Sequence, residues 1–274
     1  MPSAASTLIV LAAGGGAGVL GALLGIGGGV VLVPFLNLVL HFPITQAAAI
    51  SLVTVIATSS TVAASRSGAH LVNLRLVMVL EVATAAGSLL GGLTAQMLTQ
   101  SALQRIFGAV TFVVAILMLL RLNTRNVLPD DAETGVLGGR YYEEESGRAV
   151  AYRIKRLPAA LAASFVAGNV SSLLGIGGGV IKVPALNAWC GVPLRAAAAT
   201  SAFMIGVTAT AGAVIYFGHG QLPALPAAAA VIGVQLGSRA AMTIGDRLTV
   251  RWLKILMAAV LFIVAVLMFV RGNA

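Results

Sequence analysis

The chain has 274 residues, of which 59% are hydrophobic and 9% are charged, and its formal net charge is +9. Soluble domains carry about 25% charged residues, so this composition excludes a soluble protein and predicts an integral membrane protein. The apolar runs have the length of membrane helices, which excludes an outer-membrane barrel of alternating strands. The basic residues lie in loops between these runs, as the positive-inside rule describes, so no nucleic-acid partner is predicted.

Ten apolar segments are predicted, five in each half of an all-α fold. The first half contains Leu8–Leu24, Val30–Leu40, Ile44–Ala64, Leu76–Met97 and Leu103–Leu120. The second half contains Pro158–Leu174, Val180–Cys190, Leu194–Phe217, Leu222–Ile244 and Leu253–Val270. A spanning helix needs about 20 residues, so the second segment of each half is short, and whether it crosses the membrane stays open. The predicted domains are a transmembrane repeat (1–121), a hydrophilic linker (122–156) and a second transmembrane repeat (157–274).

An internal repeat relates the two halves. The sequence LLGIGGGV occurs at Leu23–Val30 and again, 150 positions later, at Leu173–Val180. The same shift matches Val33-Pro34 with Val183-Pro184, Leu36-Asn37 with Leu186-Asn187, Pro43 with Pro193, and Ser51 with Ser201. Biased composition does not explain a fixed shift carried through glycine, proline, asparagine and serine. The halves are therefore predicted to be copies of one structural unit.

Each copy of the glycine motif is predicted to interrupt a helix. It has four glycines in five positions, followed by a proline, and both residue types disfavour a helix. Backbone freed from a helix inside a membrane must be buried in protein or line a wet cavity. Paired Gly/Pro interruptions in the two halves of a chain indicate a transporter's binding site. The alternative interpretation is close packing of helices, which glycine also permits.

Charge placement indicates that the second repeat is inverted relative to the first. Five crossings per repeat is an odd number, so the second copy begins on the opposite side of the membrane. With the N-terminus outside, the loop with Arg66 and Arg75 is cytoplasmic, and its counterpart at Gly218–Gln221 has no lysine or arginine. The cytoplasmic loop of the second copy then holds Arg247. The sequence thus predicts external N- and C-termini and a cytoplasmic central loop.

Two charged residues lie inside predicted membrane segments, where charge is costly and indicates function. Lys182 follows the second glycine motif, at the position where the first copy has Leu32. It would supply a cation for an anionic substrate, reach toward the membrane interface, or pair with a carboxylate. Glu81 lies in Leu76–Met97 and is either a proton carrier or the partner of Lys182.

Matched polar residues near the two motifs are further candidates for the site. Asn37 and Asn187 can donate and accept hydrogen bonds. Ser51, Ser201, Thr54 and Thr200 offer hydroxyls, although such groups often bond their own helix. The predicted substrate-binding residues are Gly25, Gly27, Gly28, Gly29, Asn37, Ser51, Thr54, Gly175, Gly177, Gly178, Gly179, Lys182, Asn187, Thr200 and Ser201, with Glu81 for proton coupling. No Cys/His cluster has ligand spacing, so neither a metal nor a cofactor is predicted.

The doubled LLGIGGG-V-xx-VP-x-LN arrangement, with five segments per half and a hydrophilic central loop, resembles the TauE/SafE sulfite exporter family over Leu8–Val270. The resemblance implies a bacterial inner-membrane secondary carrier of small sulfur-containing anions, such as sulfite, sulfoacetate or related organosulfonates. It points to Gly25–Gly29 with Pro34 and Asn37, and to Gly175–Gly179 with Pro184 and Asn187. The expected partners are the anion, membrane lipid and protons as the coupling ion, and both termini would be periplasmic.

Three other functions are considered. A channel is the main alternative, because glycine breaks also build selectivity filters, and it would give non-saturating flux. An intramembrane enzyme would need a nucleophile–base pair or a metal set, and the sequence offers neither, so no enzyme is predicted. A scaffold acting through the central loop would lose function on deletion of Asp130–Gly147, whereas a transporter would not.

Overall fold

The computed structural model describes residues 4–24, 27–63, 71–120, 135–143, 148–244 and 250–273. These residues form ten helices and one two-stranded sheet. The first half contains α1 (Ala4–Leu24), α2 (Gly29–Leu38), α3 (Ile44–Ala63), α4 (Leu74–Met97) and α5 (Gln100–Leu120). The linker contains β1 (Gly139–Glu143) and β2 (Arg148–Tyr152). The second half contains α6 (Leu157–Leu174), α7 (Gly179–Ala188), α8 (Leu194–Gly218), α9 (Ala224–Ile244) and α10 (Val250–Asn273).

The helices confirm the predicted all-α membrane fold, because each predicted segment is matched by one helix. Six of the described helices, α1, α3, α4, α6, α8 and α9, are long and apolar enough to cross a membrane. Helices α2 and α7 have ten residues each. At about 1.5 Å per residue they are about 15 Å long, half the thickness of a bilayer core of roughly 30 Å. Neither short helix can therefore cross the membrane alone.

Helix packing follows the repeat. Helix α1 packs on α9 as its equivalent α6 packs on α4, and the two equivalent helices α3 and α8 pack on each other. Ser59, late in α3, donates from Oγ to the carbonyl oxygen of Ala202, early in α8, at 2.6 Å. Leu52, earlier in α3, lies against Gly212, later in α8. The two equivalent helices are therefore antiparallel.

Helices α5 and α10, which are also equivalent, pack in the same antiparallel way. Arg105, early in α5, donates from Nε to the carbonyl oxygen of Gly272, at the end of α10, at 3.0 Å. The rings of Phe112 and Phe262 have centroids 5.8 Å apart. Equivalent helices that pack antiparallel are the arrangement expected of an inverted repeat. The orientation of the two repeats in the membrane stays a prediction.

Both glycine motifs interrupt the chain with the same turn, as the sequence predicts. Gly28 and Gly178 each have φ of 69°, in the left-handed region that glycine enters without steric cost. Gly29 donates its N–H to the carbonyl oxygen of Gly27, and Gly179 donates its N–H to that of Gly177, at 2.9 Å in both turns. The short helices α2 and α7 begin directly after these turns.

The linker contains a β-hairpin that packs against the start of α4, in the first repeat. Strands β1 and β2 pair antiparallel. Asn73, before α4, donates from Nδ2 to the carbonyl oxygen of Leu137 at 2.8 Å and to the hydroxyl of Tyr152 at 3.1 Å. Val150 and Tyr152 are buried in one apolar cluster with Leu76. Burial raises the pKa of the Tyr152 hydroxyl above its usual value, while the hydrogen bond from Asn73 opposes that shift.

Candidate functional site

The two interruptions meet in the core of the protein. Ser51, in α3, donates from Oγ to the carbonyl oxygen of Gly175, which ends α6, at 2.6 Å. A Cβ atom added at Gly29 would overlap both of these groups, so the backbones approach as closely as glycine allows. Gly27 lies against Val55 of α3 and Ile205 of α8. The start of α2 and the end of α6 therefore share one buried junction with α3 and α8.

A buried cation lies one helical turn into α7. The side chain of Lys182 is only 1% exposed. Its Nζ donates to Oγ1 of Thr208, in α8, at 3.0 Å. A lysine this deeply buried is neither snorkelling nor solvated, and a charge in such a place requires a compensating partner.

The compensating carboxylate belongs to Glu81, in α4. Oγ1 of Thr208 is 2.9 Å from Oε1 of Glu81, to which it can donate. The same hydroxyl is 3.0 Å from the carbonyl oxygen of Met204, one turn earlier in its own helix. Oε2 of Glu81 is buried and has no hydrogen-bond partner among the described residues. We call Lys182, Thr208 and Glu81 the charged triad.

Thr208 was not predicted as a site residue. Hydroxyl residues are common in membrane helices, where most of them bond their own backbone, so a single threonine in an apolar helix carries little signal. The internal repeat could have drawn attention to Thr208, because the 150-residue shift relates it to another threonine, Thr58. Only the structure shows that Lys182 and Glu81 reach the same hydroxyl from two other helices.

The residues that the 150-residue shift relates to the two charged members of the triad are apolar. The shift relates Lys182 to Leu32, which is buried, and Glu81 to Val231. Thr58, the equivalent of Thr208, donates instead to the carbonyl oxygen of Thr54, in its own helix, at 3.0 Å. The charged triad therefore has no charged counterpart at the equivalent positions, although the surrounding helices are arranged as a repeat.

The matched serines also differ in their hydrogen bonding. Ser201 and Ser51 are both fully buried. Ser51 binds the opposite repeat through Gly175, whereas Oγ of Ser201 has no hydrogen-bond partner among the described residues. Oγ of Ser171 and Oγ of Ser172, which were not predicted, are also buried without a partner in the described part of the chain, and the Ser171 side chain lies against Gly178 at the start of α7. Unpartnered buried hydroxyls are costly, so Ser201 and Ser171, which lies at the second turn, are candidates to donate to a bound ligand.

Two matched asparagines close the loops that follow the short helices. Asn37 donates from Nδ2 to the carbonyl oxygen of Phe42, and Asn187 donates to that of Val192, at 2.8 Å in both copies. Oδ1 of Asn37 accepts from Gln104 at 2.9 Å. These bonds give both asparagines a structural role, and their contact with a substrate stays a prediction.

The remaining predicted residues have protein partners or lie outside the described part. Thr54 donates to the carbonyl oxygen of Ser51 at 2.7 Å, and Oγ1 of Thr200 accepts from the N–H of Asn73 at 3.2 Å. The N–H groups of Gly29 and Gly179 are used within the two turns. Gly25 lies outside the described residues.

An apolar groove of about 340 Å³ lies between α5, α6 and α7. Its lining includes Val110, Val170, Ile181 and Trp189. None of the predicted polar or charged site residues lines it. The chemistry available to an anion is therefore at the charged triad and the unpartnered serines.

A family model and a curated relative each match nearly the whole chain. The model of the sulfite exporter TauE/SafE family matches residues 10–268. The chain is 28% identical over 276 residues to the probable membrane transporter protein YunE of Bacillus subtilis (strain 168), in an alignment covering 97% of this chain and 98% of that protein. No solved structure gives a significant match.

Proposed function

Because the chain belongs to the sulfite exporter TauE/SafE family of membrane transporters, as its sequence motifs predict, we propose that it is a secondary carrier of small sulfur-containing anions. The substrate class proposed is sulfite, sulfoacetate or related organosulfonates, and the location is the bacterial inner membrane. The proposed orientation has periplasmic termini and a cytoplasmic central loop, supported by the distribution of basic residues.

The observation that carries this proposal is the buried Lys182. It supplies a fixed positive charge inside a membrane protein, where an anion would otherwise find no favourable contact. The hydroxyls of Ser171 and Ser201 have hydrogens to donate and no partner among the described residues. A buried cation together with neutral donors suits an oxyanion, since neutral donors contribute to binding without holding the anion as strongly as a second charge.

Alternating access is the proposed mode of transport. The antiparallel packing of α3 with α8 and of α5 with α10 supports a pair of inverted repeats. Rocking of one repeat against the other about the junction of Gly29, Ser51 and Gly175 would expose the site to each side in turn. Glu81 is proposed to carry the coupling proton.

A thermal-shift screen of purified protein tests the proposed function. The ligands are sulfite, sulfate, thiosulfate, sulfoacetate and taurine, with acetate and chloride as controls. An anion that binds only the folded state raises the apparent unfolding temperature by mass action. We expect stabilisation by at least one sulfur oxyanion in the wild type and in Lys155→Ala, whose lysine is exposed, and its loss in Lys182→Ala. Stabilisation that persists in Lys182→Ala would contradict the assigned site.

A further inference from the structure

The charged triad contains one hydroxyl with two alternative acceptors. Thr208 has a single hydroxyl hydrogen, and the carboxylate of Glu81 at 2.9 Å competes for it with the carbonyl of Met204 at 3.0 Å. Lys182 donates to the same oxygen in either case. The hydroxyl can therefore release Glu81 and bond its own helix while its contact with Lys182 is kept.

The charge of the triad sets the condition for binding an anion there. With Lys182 protonated and Glu81 ionised, the triad is neutral. An added monoanion would leave one uncompensated negative charge in a buried, apolar site, and a dianion such as sulfoacetate would leave two, which is strongly unfavourable. Uptake of one proton from water by the carboxylate of Glu81 removes one of these charges in either case, and the anion then takes the place of Glu81 as the counterion of Lys182.

No other titratable side chain in the described part of the packed helices is placed to take over that proton. Helix α4 packs on α6 and α8. Helix α6 has no titratable residue, and on α8 the titratable residues Arg195 and Tyr216 are thirteen and eight positions from Thr208. Helix α7 contributes Lys182, and α4 itself contributes Arg75 near its start, six positions from Glu81.

We propose that Glu81 and the transported anion compete for Lys182 and Thr208, so that each anion binds together with one proton taken up by Glu81. This inference rests on the proposed function and deepens it, since it gives Glu81 the role of an internal counter-anion and makes Thr208 a positioning residue. Anion and proton then travel through the carrier in the same direction, and the empty carrier returns with Glu81 ionised and paired.

The inference is tested by titration calorimetry of the purified protein with sulfoacetate, whose charge is constant near neutral pH. Measurements in two buffers of different ionisation enthalpy give the number of protons taken up. We expect about one proton per anion in the wild type, and an affinity that falls about tenfold per pH unit above neutrality. Glu81→Gln should bind sulfoacetate at least as tightly, without proton uptake and without the pH dependence.

Thr208→Val is a second, independent test, with Thr58→Val as its matched control. Loss of the hydroxyl that holds Lys182 should weaken sulfoacetate binding by about tenfold, while Thr58→Val, whose hydroxyl bonds only its own helix, should leave it unchanged. Wild-type binding without proton uptake, or unchanged proton uptake in Glu81→Gln, would overturn the inference and leave the proposed function standing. Failure of the wild type to bind sulfoacetate or any other sulfur anion of the thermal-shift screen would contradict the proposed function itself.

Discussion

The two repeats have the same interruption and different surroundings. Gly28 and Gly178 have the same φ, and both turns close with the same hydrogen bond. One turn beyond, the second repeat has Lys182 bonded to Thr208, while the first has Leu32 at the equivalent position, and Thr58, the equivalent of Thr208, bonds its own helix. The backbone turns are therefore present in both repeats, whereas the buried charged residues occur at only one of the two equivalent sets of positions.

This difference separates what the fold requires from what the function requires. The turns, the short helices and the loop-closing hydrogen bonds of the two asparagines occur in both copies, so we expect the fold to require them. The charged triad has no charged counterpart at the equivalent residues Val231, Leu32 and Thr58, and only one of the two matched serines, Ser201, has no partner among the described residues. A single anion site on a two-fold frame is the simplest account of that asymmetry.

The largest expected effect comes from giving the first repeat the cation of the second. Leu32→Lys would bury a charge without a carboxylate, and we expect it to cost about 3–5 kcal/mol of stability. Adding Val231→Glu, at the position equivalent to Glu81, should recover about half of that loss because the two charges can pair. Thermal unfolding in detergent measures both, with Leu32→Met as the control. If the single variant Leu32→Lys were as stable as the wild type, the surroundings of Leu32 would not be comparable to those of Lys182.

A smaller effect is expected from alanine in the two turns. A left-handed alanine costs about 1–2 kcal/mol at either position. At Gly28 the new Cβ atom would also overlap the backbone carbonyl of Ala17, whereas at Gly178 it would lie 2.9 Å from the carbonyl oxygen of Ala167. Gly28→Ala should therefore lower the unfolding temperature more than Gly178→Ala. Gly16→Ala, where nothing lies within 4 Å of the new Cβ atom, is the control. Equal effects at the two turns would mean that the junction relaxes around Gly28.

The smallest effect separates the matched serines. Ser51→Ala removes the buried hydrogen bond to Gly175 and should cost about 0.5–1.5 kcal/mol, with anion affinity changed little once the protein is folded. Ser201→Ala removes a hydroxyl without a partner among the described residues, so stability should stay the same or rise while anion affinity falls. The unfolding temperature and the affinity for sulfoacetate are measured for Ser51→Ala and Ser201→Ala and compared with those of the wild type. A loss of stability in Ser201→Ala with unchanged affinity would assign that hydroxyl to the fold.

Most of the fold could be predicted from the sequence, because long apolar runs and a repeat shifted by 150 residues are strong signals. The packed hairpin could not, since the hydrophilic linker gives no sign that Tyr152 is buried against Asn73. The site was predicted in part. Lys182 and Glu81 stand out as charges in apolar segments, but Thr208 looks like any membrane hydroxyl. The roles of Asn37 and Asn187 depend on whether an amide faces a ligand or its own loop, which spacing does not determine.

The most direct test of the central claim is exchange of radiolabelled sulfite in proteoliposomes. We compare the wild type, Lys182→Leu and the double variant Lys182→Leu/Glu81→Val, which gives both positions the residues of their repeat equivalents, Leu32 and Val231, and leaves no buried carboxylate unpaired. We predict saturable uptake in the wild type, accelerated by unlabelled sulfite inside. Its apparent affinity should fall about tenfold or more in both variants, because a charged hydrogen bond contributes about 1.5–3 kcal/mol. Exchange by the folded double variant at the wild-type affinity, or wild-type flux that neither saturates nor responds to internal sulfite, would contradict the account.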